Sequence, residues 1–386
     1  MQKYARIQTR LNELKKGAAH RAVRTLDSKA HMVSDGVREL INFSSNDYLG
    51  LAADLELQQH FFKQNSFNQQ HWMSASSSRA LTGTSSSHAT LEKLIAKSYN
   101  KTNALLFNSG YHANTGILPA LTTEQDLIIT DKLVHASLID GLKLSRARFK
   151  RFAHNDLNHL KQILNKHRDQ YRDVWIVTES LFSMDGDLAP LTDLVSLKNE
   201  YQCHLYIDEA HAVGCYGQNG LGLSETNDVI SDIDILVGTF GKALASCGGF
   251  AVGDTALIET LINNSRSWLF STALPPINMD WNLFIWQQLS TFTEQRSQLE
   301  KLTKTFRDGL KSTDHNALGN TFIVPIVITG NKAVVAHAKR MEDYGVLALP
   351  IRSPTVRRGS ERIRFSLTAN LPDDAIQSCF DILNAI

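Results

Sequence analysis

Short apolar stretches recur along the central part of the chain, and segments with helical periodicity separate most of them. This alternation is typical of βαβ units, in which helices cover both faces of a mostly parallel sheet. We therefore predict an α/β fold whose large domain is built on a mostly parallel seven-stranded sheet between helices. The predicted strands cover residues 104–107, 127–129, 149–153, 174–177, 205–207, 235–237 and 250–252. The predicted helices cover residues 88–99, 111–121, 135–144, 158–166 and 191–201.

The two ends of the chain have different patterns. Ile7, Leu11 and Leu14 have helical spacing among basic residues, which predicts an amphipathic arm helix over residues 4–24 that lies on another surface. The C-terminal part alternates helices with shorter strands, which is typical of a smaller α+β domain. Its predicted helices cover residues 278–311, 332–344 and 372–386, and its predicted strands cover 323–328 and 362–367.

These patterns predict three segments. Residues 1–45 form the arm helix and short strands, residues 46–285 form the large cofactor-binding domain, and residues 286–386 form the small C-terminal domain. A chain of 386 residues is long enough for one large and one smaller domain.

Charge and composition exclude several classes of protein. The formal net charge of +1 gives no electrostatic support for a nucleic-acid or membrane partner. No apolar run approaches the length of a membrane-spanning helix, and the first residues lack the apolar core of a signal peptide. The four cysteines lack C-x-x-C and zinc-ligand spacing, which predicts reduced thiols and no metal site. We expect a cytoplasmic protein.

Two polar residues at predicted strand ends indicate a specific cofactor chemistry. Lys242 follows the strand at 235–237, where it can offer a nucleophilic amine to a carbonyl group. Asp208 ends the strand at 205–207 and supplies a carboxylate. A lysine for a covalent bond and an aspartate for a ring nitrogen are what a protein contributes to pyridoxal-phosphate chemistry.

Further polar groups follow other predicted strands. Gly110 lies where a strand enters a helix, and the free amide hydrogens of such a turn suit a phosphate group. His135 opens a helix after another strand, where an imidazole can stack on a ring or exchange protons. Ser183 and Thr239 add hydroxyl groups at two more strand ends. Because the carboxyl ends of parallel strands share one edge of a sheet, we expect these groups to converge.

Two other interpretations fit the sequence less well. The Asp-Glu-Ala-His motif at 208–211 occurs in helicase-type ATPases, but the required phosphate-binding loop is absent from the preceding sequence. The glycine-rich stretch at 214–222 does not join an early strand to a helix, as a dinucleotide-binding loop does. It is more typical of a surface loop.

Taken together, the motifs resemble the α-oxoamine synthases over almost the whole chain. The resemblance implies a pyridoxal-phosphate-dependent transferase of fold type I, which condenses an amino acid with an acyl thioester and releases carbon dioxide. It also implies a homodimer with active sites at the subunit interface. The motifs that carry the resemblance are Asn46-Asp-Tyr-Leu-Gly50, Ser109-Gly-Tyr-His-Ala-Asn114, His135-Ala-Ser137, Glu179-Ser-Leu-Phe-Ser-Met-Asp-Gly-Asp187, Asp208-Glu-Ala-His211, Thr239-Phe-Gly-Lys-Ala243 and Pro354-Thr-Val356.

The resemblance also assigns roles to individual residues. Lys242 would bind pyridoxal 5′-phosphate covalently, Asp208 would pair with the ring nitrogen, and His135 would stack on the ring and act in proton transfer. The other implied cofactor contacts are His211, Ser183, Thr239, Gly110 and Tyr111. The implied substrate contacts are Arg21, Asn46, His135, Arg352 and Thr355, of which Asn46 and Arg352 would face the amino-acid carboxylate.

The choice of substrates is less fixed than the cofactor. Residues 42–47 and 351–356 resemble family members of biotin synthesis that use L-alanine and pimeloyl-CoA or pimeloyl acyl carrier protein. Members that use glycine with an acetyl or succinyl thioester, and aminotransferases of the same fold, are the alternatives. The chain has serines and an alanine at 74–78, where the family usually has glycines, which removes easy access to positive φ near a substrate loop.

Overall fold

The computed structural model describes residues 3–64, 72–311, 313 and 315–385. Positions 1, 2 and 386 of the predicted end segments lie outside the described residues. The strands are β1 (Asp27–Lys29), β2 (Met32–Ser34), β3 (Glu39–Asn42), β4 (Asn103–Phe107), β5 (Leu127–Asp131), β6 (Arg148–Phe152), β7 (Val174–Glu179), β8 (His204–Asp208), β9 (Ile235–Thr239), β10 (Gly249–Gly253), β11 (Ile323–Val327), β12 (Val346–Leu347), β13 (Pro350–Ile351) and β14 (Arg362–Ser366). The α-helices are α1 (Ala5–Lys16), α2 (Leu55–Gln64), α3 (Ser86–Ser98), α4 (Gly110–Leu121), α5 (Ala136–Leu144), α6 (Leu157–His167), α7 (Leu191–Glu200), α8 (Leu223–Thr226), α9 (Thr255–Asn264), α10 (Arg266–Leu269), α11 (Pro276–Gln287), α12 (Thr293–Leu310), α13 (Asn331–Asp343) and α14 (Asp373–Ala385).

The described chain forms two compact units. One comprises the described residues of 1–53, 183–187 and 297–386, and the other those of 54–182 and 188–296. We call them the terminal unit and the sheet unit. The predicted division at residues 45 and 285 stays a prediction.

A seven-stranded sheet forms the centre of the sheet unit, in the order β4-β10-β9-β8-β7-β5-β6. Strands β6, β5, β7, β8 and β9 are parallel, whereas β10 is antiparallel to both β9 and β4. The residues of β5, β7 and β10 are buried throughout, as expected of strands covered on both faces. The predicted mostly parallel seven-stranded sheet is therefore confirmed.

The parallel register aligns the strand ends that carry polar groups. Glu179 at the end of β7 is the partner of Asp208 at the end of β8, and Asp208 is in turn the partner of Val237 in β9. Thr239 ends β9 two residues further on. One edge of the sheet therefore gathers carboxylates and hydroxyl groups from neighbouring strands.

The terminal unit has two smaller sheets, in the orders β1-β2-β3-β12 and β11-β14-β13. Aromatic side chains fill its core: Phe306 lies 6.0 Å from Phe43, 5.3 Å from Phe365 and 5.1 Å from Phe380 between ring centroids. Burial of such rings stabilises a fold by about 2–3 kcal/mol each.

The predicted arm helix over 4–24 is too long. Helix α1 ends at Lys16, Gly17 is its C-cap, and Ala18 has a φ of +50°, a left-handed conformation that stops a helix. The helix has no buried residue, and Ile7 is 58% exposed. Within this chain its apolar side chains are therefore uncovered.

The predicted continuous helix over 278–311 is also wrong. A 3₁₀ turn over Leu289–Thr291 separates α11 from α12. The Arg296 guanidinium donates to the carbonyl oxygens of Leu289 and Ser290 at 2.9 and 3.0 Å, which satisfies backbone acceptors at the break. Both interruptions occur where local hydrogen bonds compensate the end of a helix.

Candidate functional site

Lys242 lies in a tight turn between β9 and β10. The Thr239 hydroxyl donates to the Gly248 carbonyl at 2.8 Å and accepts from the Gly241 amide at 3.2 Å. The Phe240 amide donates to the same Gly248 carbonyl at 3.1 Å, which closes the turn. The Lys242 side chain is half-buried at the carboxyl edge of the sheet. The turn thus fixes the backbone of the lysine on a rigid element.

Asp208 is 5% exposed at the end of β8, and hydrogen bonds orient its carboxylate. One oxygen accepts from the Asn114 side-chain amide at 2.7 Å, and the other accepts from the Ala210 backbone amide at 2.9 Å. Such bonds favour the ionised form of a carboxyl group. A fixed negative charge therefore lies at the same edge as Lys242.

Residues 209–211 form the turn after β8. Glu209 is buried and accepts from the Ser180 hydroxyl at 2.5 Å and from the Ser224 amide at 2.7 Å. These bonds anchor the turn that carries His211, whose side chain is 5% exposed. The structure brings His211 to the same sheet edge as Asp208, two residues beyond Ala210 in the chain.

His135 is the N-cap residue of α5, and its Nδ1 accepts from the Ser137 backbone amide at 3.2 Å. Its own amide donates to Glu179 at 2.5 Å. Burial lowers the pKa of His135; the nearby Lys242 ammonium also lowers it, whereas the Asp208 and Asp140 carboxylates raise it. His135, Asp208 and Lys242 are therefore close enough to influence one another electrostatically.

The first turn of α4 can bind an anion. Ser109 caps the helix by accepting from the His112 amide at 3.1 Å, and the first amides of any helix have no acceptor within it. A Cβ atom added to Gly110 would lie 3.4 Å from the Thr239 Cβ, so a larger residue would crowd the space between α4 and β9. Tyr111 is 47% exposed and hydrogen-bonds Asp140. Gly110, Tyr111 and Thr239 are thus neighbours, as a phosphate site requires.

The terminal unit holds the other predicted residues. Arg21 donates to the Thr355 hydroxyl at 2.5 Å, so these two predicted substrate contacts are in direct contact. Arg352 donates to the His20 carbonyl at 2.6 Å, while its buried Nε lacks a hydrogen-bond partner among the described residues. Burial lowers the pKa of Arg352, and the neighbouring Arg21 charge lowers it further. An anion beside Arg21 and Arg352 would relieve this repulsion.

Asn46 and Ser183 share a buried partner that the sequence analysis missed. Arg364 in β14 is 9% exposed and donates to the Ser183 carbonyl at 2.6 Å and to the Asn46 side-chain oxygen at 3.3 Å. Its bonds go to neutral acceptors, whereas the buried Arg362 nearby pairs with the Asp185 carboxylate at 2.8 Å. Arg364 is therefore a further candidate for binding a carboxylate. An arginine within the apolar strand pattern was the available signal.

Glu179 and Asn114 were also missed as site residues. Burial raises the pKa of the Glu179 carboxyl well above its usual value; the Asp208 carboxylate raises it further, whereas Lys242 lowers it. Asn114 is 2% exposed in α4, and a buried amide within a helix is a recognisable signal. Glu179 lies inside a quoted motif, but its proximity to Asp208 depends on strand register and was not visible in the sequence.

The serine-rich stretch at 74–78 forms an ordered loop of the sheet unit. The Ala273 amide donates to the Ser77 carbonyl at 2.9 Å, and Ser78 forms an isolated bridge with Thr272. Ser76 has a φ of +52° although it is not a glycine, and its amide donates to the Ser74 hydroxyl at 3.0 Å. The backbone thus adopts the left-handed conformation without the glycine that would favour it.

Replacing Ser76 by glycine should raise the melting temperature. Left-handed backbone costs an L-residue about 1–2 kcal/mol, whereas the extra entropy that glycine loses on folding costs about 0.5–1 kcal/mol. Ser78, whose φ is negative, is the matched control, and Ser78→Gly should lower the melting temperature. Differential scanning calorimetry measures both, and equal shifts in the two variants would contradict a strained Ser76.

No metal site or membrane span was found in the part of the chain that the structure describes. Within those residues no group of three or more His, Cys, Asp or Glu side chains is arranged to hold a metal ion. No described helix is both long and apolar enough to cross a membrane.

Comparisons with known proteins identify the family. The model of class I and II aminotransferases matches residues 38–383. An 8-amino-7-oxononanoate synthase of Haemophilus ducreyi is 48% identical, over 94% of this chain and 96% of its own length. Serine palmitoyltransferase of S. paucimobilis, solved with bound pyridoxal phosphate, superposes with a TM-score of 0.90 at 25% identity, over 99% of this chain and 97% of that chain. An 8-amino-7-oxononanoate synthase of Francisella tularensis gives a TM-score of 0.74 at 26% identity, over 90% and 97%.

The residues present fit the family's cofactor. A lysine, a buried carboxylate and a helix N-terminus lie at one edge of the sheet, and these are the groups that pyridoxal phosphate requires for its aldehyde, ring nitrogen and phosphate. The predicted fold type I architecture and the predicted cofactor are confirmed by the comparisons. The chain belongs to the class I and II aminotransferase family and, within it, to the pyridoxal-phosphate-dependent α-oxoamine synthases.

Proposed function

We propose that the protein condenses L-alanine with a pimeloyl thioester and releases carbon dioxide, a free thiol and 8-amino-7-oxononanoate, a step of biotin synthesis. The observation that carries this proposal is the 48% identity to an 8-amino-7-oxononanoate synthase over nearly the whole chain. The arrangement of Lys242, Asp208 and His135 supports the same acyltransferase chemistry. The acyl carrier is either coenzyme A or an acyl carrier protein.

The cofactor would be held by residues of both units. Lys242 would bind the aldehyde carbon, Asp208 would face the ring nitrogen, and His135 would stack on the ring. The remaining proposed contacts are Gly110, Tyr111 and Thr239 around the phosphate, with His211 and Ser183 as hydrogen-bonding partners. Pyridoxal phosphate, when bound, supplies an electron sink for the negative charge that develops on the amino-acid α-carbon.

Asp208 would keep a proton on the ring nitrogen. An ionised carboxylate next to a basic nitrogen raises the pKa of that nitrogen. The bonds from Asn114 and Ala210 hold the Asp208 oxygens in place, so no reorientation is needed when charge develops. The acidity of the alanine α-carbon would depend on this fixed charge.

Lys242 would remove the α-proton with its Nζ once alanine has displaced it from the cofactor. The carbon that loses the proton then attacks the thioester carbonyl, and the thiol leaves. His135 would donate to the new ketone oxygen, which helps the neighbouring carboxylate leave as carbon dioxide. A proton returned to the same carbon completes the reaction.

Residues of the terminal unit would bind the substrates. Asn46 and Arg352 are proposed to face the alanine carboxylate, and Arg21 and Thr355 to contact the acyl substrate or its carrier. Arg364 is a second candidate for the carboxylate because its buried charge is bonded to neutral acceptors. Its contact with the Asn46 oxygen turns the Asn46 amide hydrogens outward, since an arginine can only donate.

We also propose a cytoplasmic homodimer. Helix α1 has no buried residue, and Ile7 and Leu11 are 58% and 38% exposed. An apolar face of this kind is covered when a helix lies on a second subunit.

A substrate panel tests the function against its nearest alternatives. L-Alanine and glycine are each combined with pimeloyl, acetyl and succinyl thioesters, and thiol release is measured. We expect the highest kcat/KM for alanine with the pimeloyl thioester. Preference for glycine with the acetyl thioester would indicate a glycine C-acetyltransferase, and glycine with the succinyl thioester a 5-aminolevulinate synthase. Activity that requires a keto acid would indicate an aminotransferase.

A further inference from the structure

We propose that Ser137 and Asn114 are positioning residues that hold His135 as a neutral imidazole with its ring proton on Nε2, and that they connect it to Asp208. The side chains of Asp208, Asn114, Ser137 and His135 form a continuous chain of hydrogen bonds in the sheet unit. The catalytic meaning of this chain rests on the proposed function, but its existence does not.

The direction of each bond follows from the two ends. An ionised carboxylate only accepts, so the Asn114 atom 2.7 Å from Asp208 is Nδ2. The same Nδ2 lies 2.9 Å from the Ser137 hydroxyl oxygen, which uses its second hydrogen. The Asn114 oxygen accepts from the Tyr206 hydroxyl at 2.5 Å. All hydrogen-bonding atoms of this buried amide are therefore used, and its orientation is fixed.

Ser137 transmits this orientation to His135. Its hydroxyl oxygen accepts from Asn114, so its own hydrogen can point to His135 Nδ1, which is 2.7 Å away. The Ser137 backbone amide donates to the same Nδ1 at 3.2 Å. A nitrogen that accepts from two donors carries no hydrogen, so the ring proton is on Nε2.

Electrostatics favour the same neutral form. His135 caps the N-terminus of α5, where the helix dipole is positive and disfavours an imidazolium. The groups that face it from neighbouring elements are Asp208, Lys242, Asp140 and, through its backbone amide, Glu179. Burial and Lys242 lower the pKa of His135 more than the two aspartates raise it.

The consequence concerns the proposed proton donor. A neutral imidazole with hydrogen on Nε2 offers one hydrogen bond to a ketone oxygen and needs no prior protonation from solvent. Because Asn114 and Ser137 are each 1–2% exposed, water does not compete for the bonds that set this state.

Nitrogen NMR of the full chain tests the proposal. The protein is labelled with ¹⁵N-histidine, and two-bond correlation spectra are recorded from pH 5.5 to 9, first without cofactor and then loaded with pyridoxal phosphate. The His135 signals are assigned by their loss in His135→Asn. We expect an unprotonated Nδ1 and a protonated Nε2 over this range in the wild type. A proton on Nδ1, or titration with a pKa at or above the usual value of about 6.5, would overturn the proposal.

Variants separate a positioning role from a merely structural one. Ser137→Ala removes one donor to Nδ1 and should raise the His135 pKa by about 0.5–1 unit, the equivalent of one hydrogen bond. Ser137→Thr keeps the hydroxyl and should restore the wild-type shifts. Ser265→Ala removes a fully buried hydroxyl elsewhere in the sheet unit and should leave the signals unchanged.

A second variant covers the case in which Ser137→Ala does not fold. Asn114→Ala frees the Ser137 oxygen from its donor, so the hydroxyl can turn and accept from Nδ1, which should produce a mixture of the two tautomers. Wild-type spectra in folded Asn114→Ala would overturn the proposal. These spectra need no substrate, so the substrate panel can fail while the tautomer result holds, and the reverse.

Discussion

Lys242→Ala should abolish the visible absorbance that pyridoxal phosphate acquires when it is bound covalently to the protein. The variant should also lose turnover by a factor of about 10²–10⁴, the usual contribution of a positioned proton-transfer group. The reason is that Lys242 is proposed both to bind the cofactor and to remove the α-proton. Absorption spectra and thiol release from a pimeloyl thioester measure the two effects separately.

The matched control is Lys166→Ala, in an exposed position of the same unit at the last turn of α6. It should keep both the absorbance and the turnover. Parent turnover in Lys242→Ala would remove this lysine from the mechanism, whereas equal loss in both variants would indicate a general effect on the fold.

Asp208→Asn should keep the fold but slow α-proton exchange of alanine by about 10²-fold or more, comparable to the loss of one preorganised electrostatic contact. The substitution keeps the shape of the side chain and one acceptor for Asn114, but it removes the charge proposed to hold a proton on the ring nitrogen. Hydrogen–deuterium exchange at the alanine α-carbon, followed by proton NMR in the loaded enzyme, measures this step without the thioester.

Asp126→Asn is the control for this variant. Asp126 is 1% exposed and precedes β5, at the amino edge of the sheet, where it accepts from the Thr123 amide at 2.7 Å. Loss of this charge should leave the exchange rate unchanged, with circular dichroism as the check on folding. Exchange at the parent rate in Asp208→Asn would contradict the electronic role of Asp208.

The central fold was predictable because buried parallel strands leave a clear signal. Continuous apolar runs such as the one ending at Ile207 predicted the sheet, and the polar residue after each run predicted the edge where Asp208 and Thr239 lie. The ends of helices were harder. Gly17 is a C-cap signal in the sequence, but helical spacing of apolar residues continued to suggest a longer helix.

The hydrogen-bonding partners in the site could not be predicted from the pattern. Glu179 faces Asp208 only because β7 and β8 pair in one particular register, and Asn114 reaches Asp208 across 94 residues of sequence. Arg364 contacts Asn46 across 318 residues. Such contacts depend on tertiary packing, to which local periodicity is blind. The individual roles of the site residues stay predictions.

The most direct test of the proposed reaction is the stoichiometry of its products from L-alanine labelled with ¹³C in the carboxyl group. The loaded enzyme is supplied with this alanine and a pimeloyl thioester, and labelled carbon dioxide and free thiol are measured together. The proposed decarboxylative condensation predicts one labelled carbon dioxide for each thiol released. Thiol release without labelled carbon dioxide, or labelled pyruvate in its place, would contradict it.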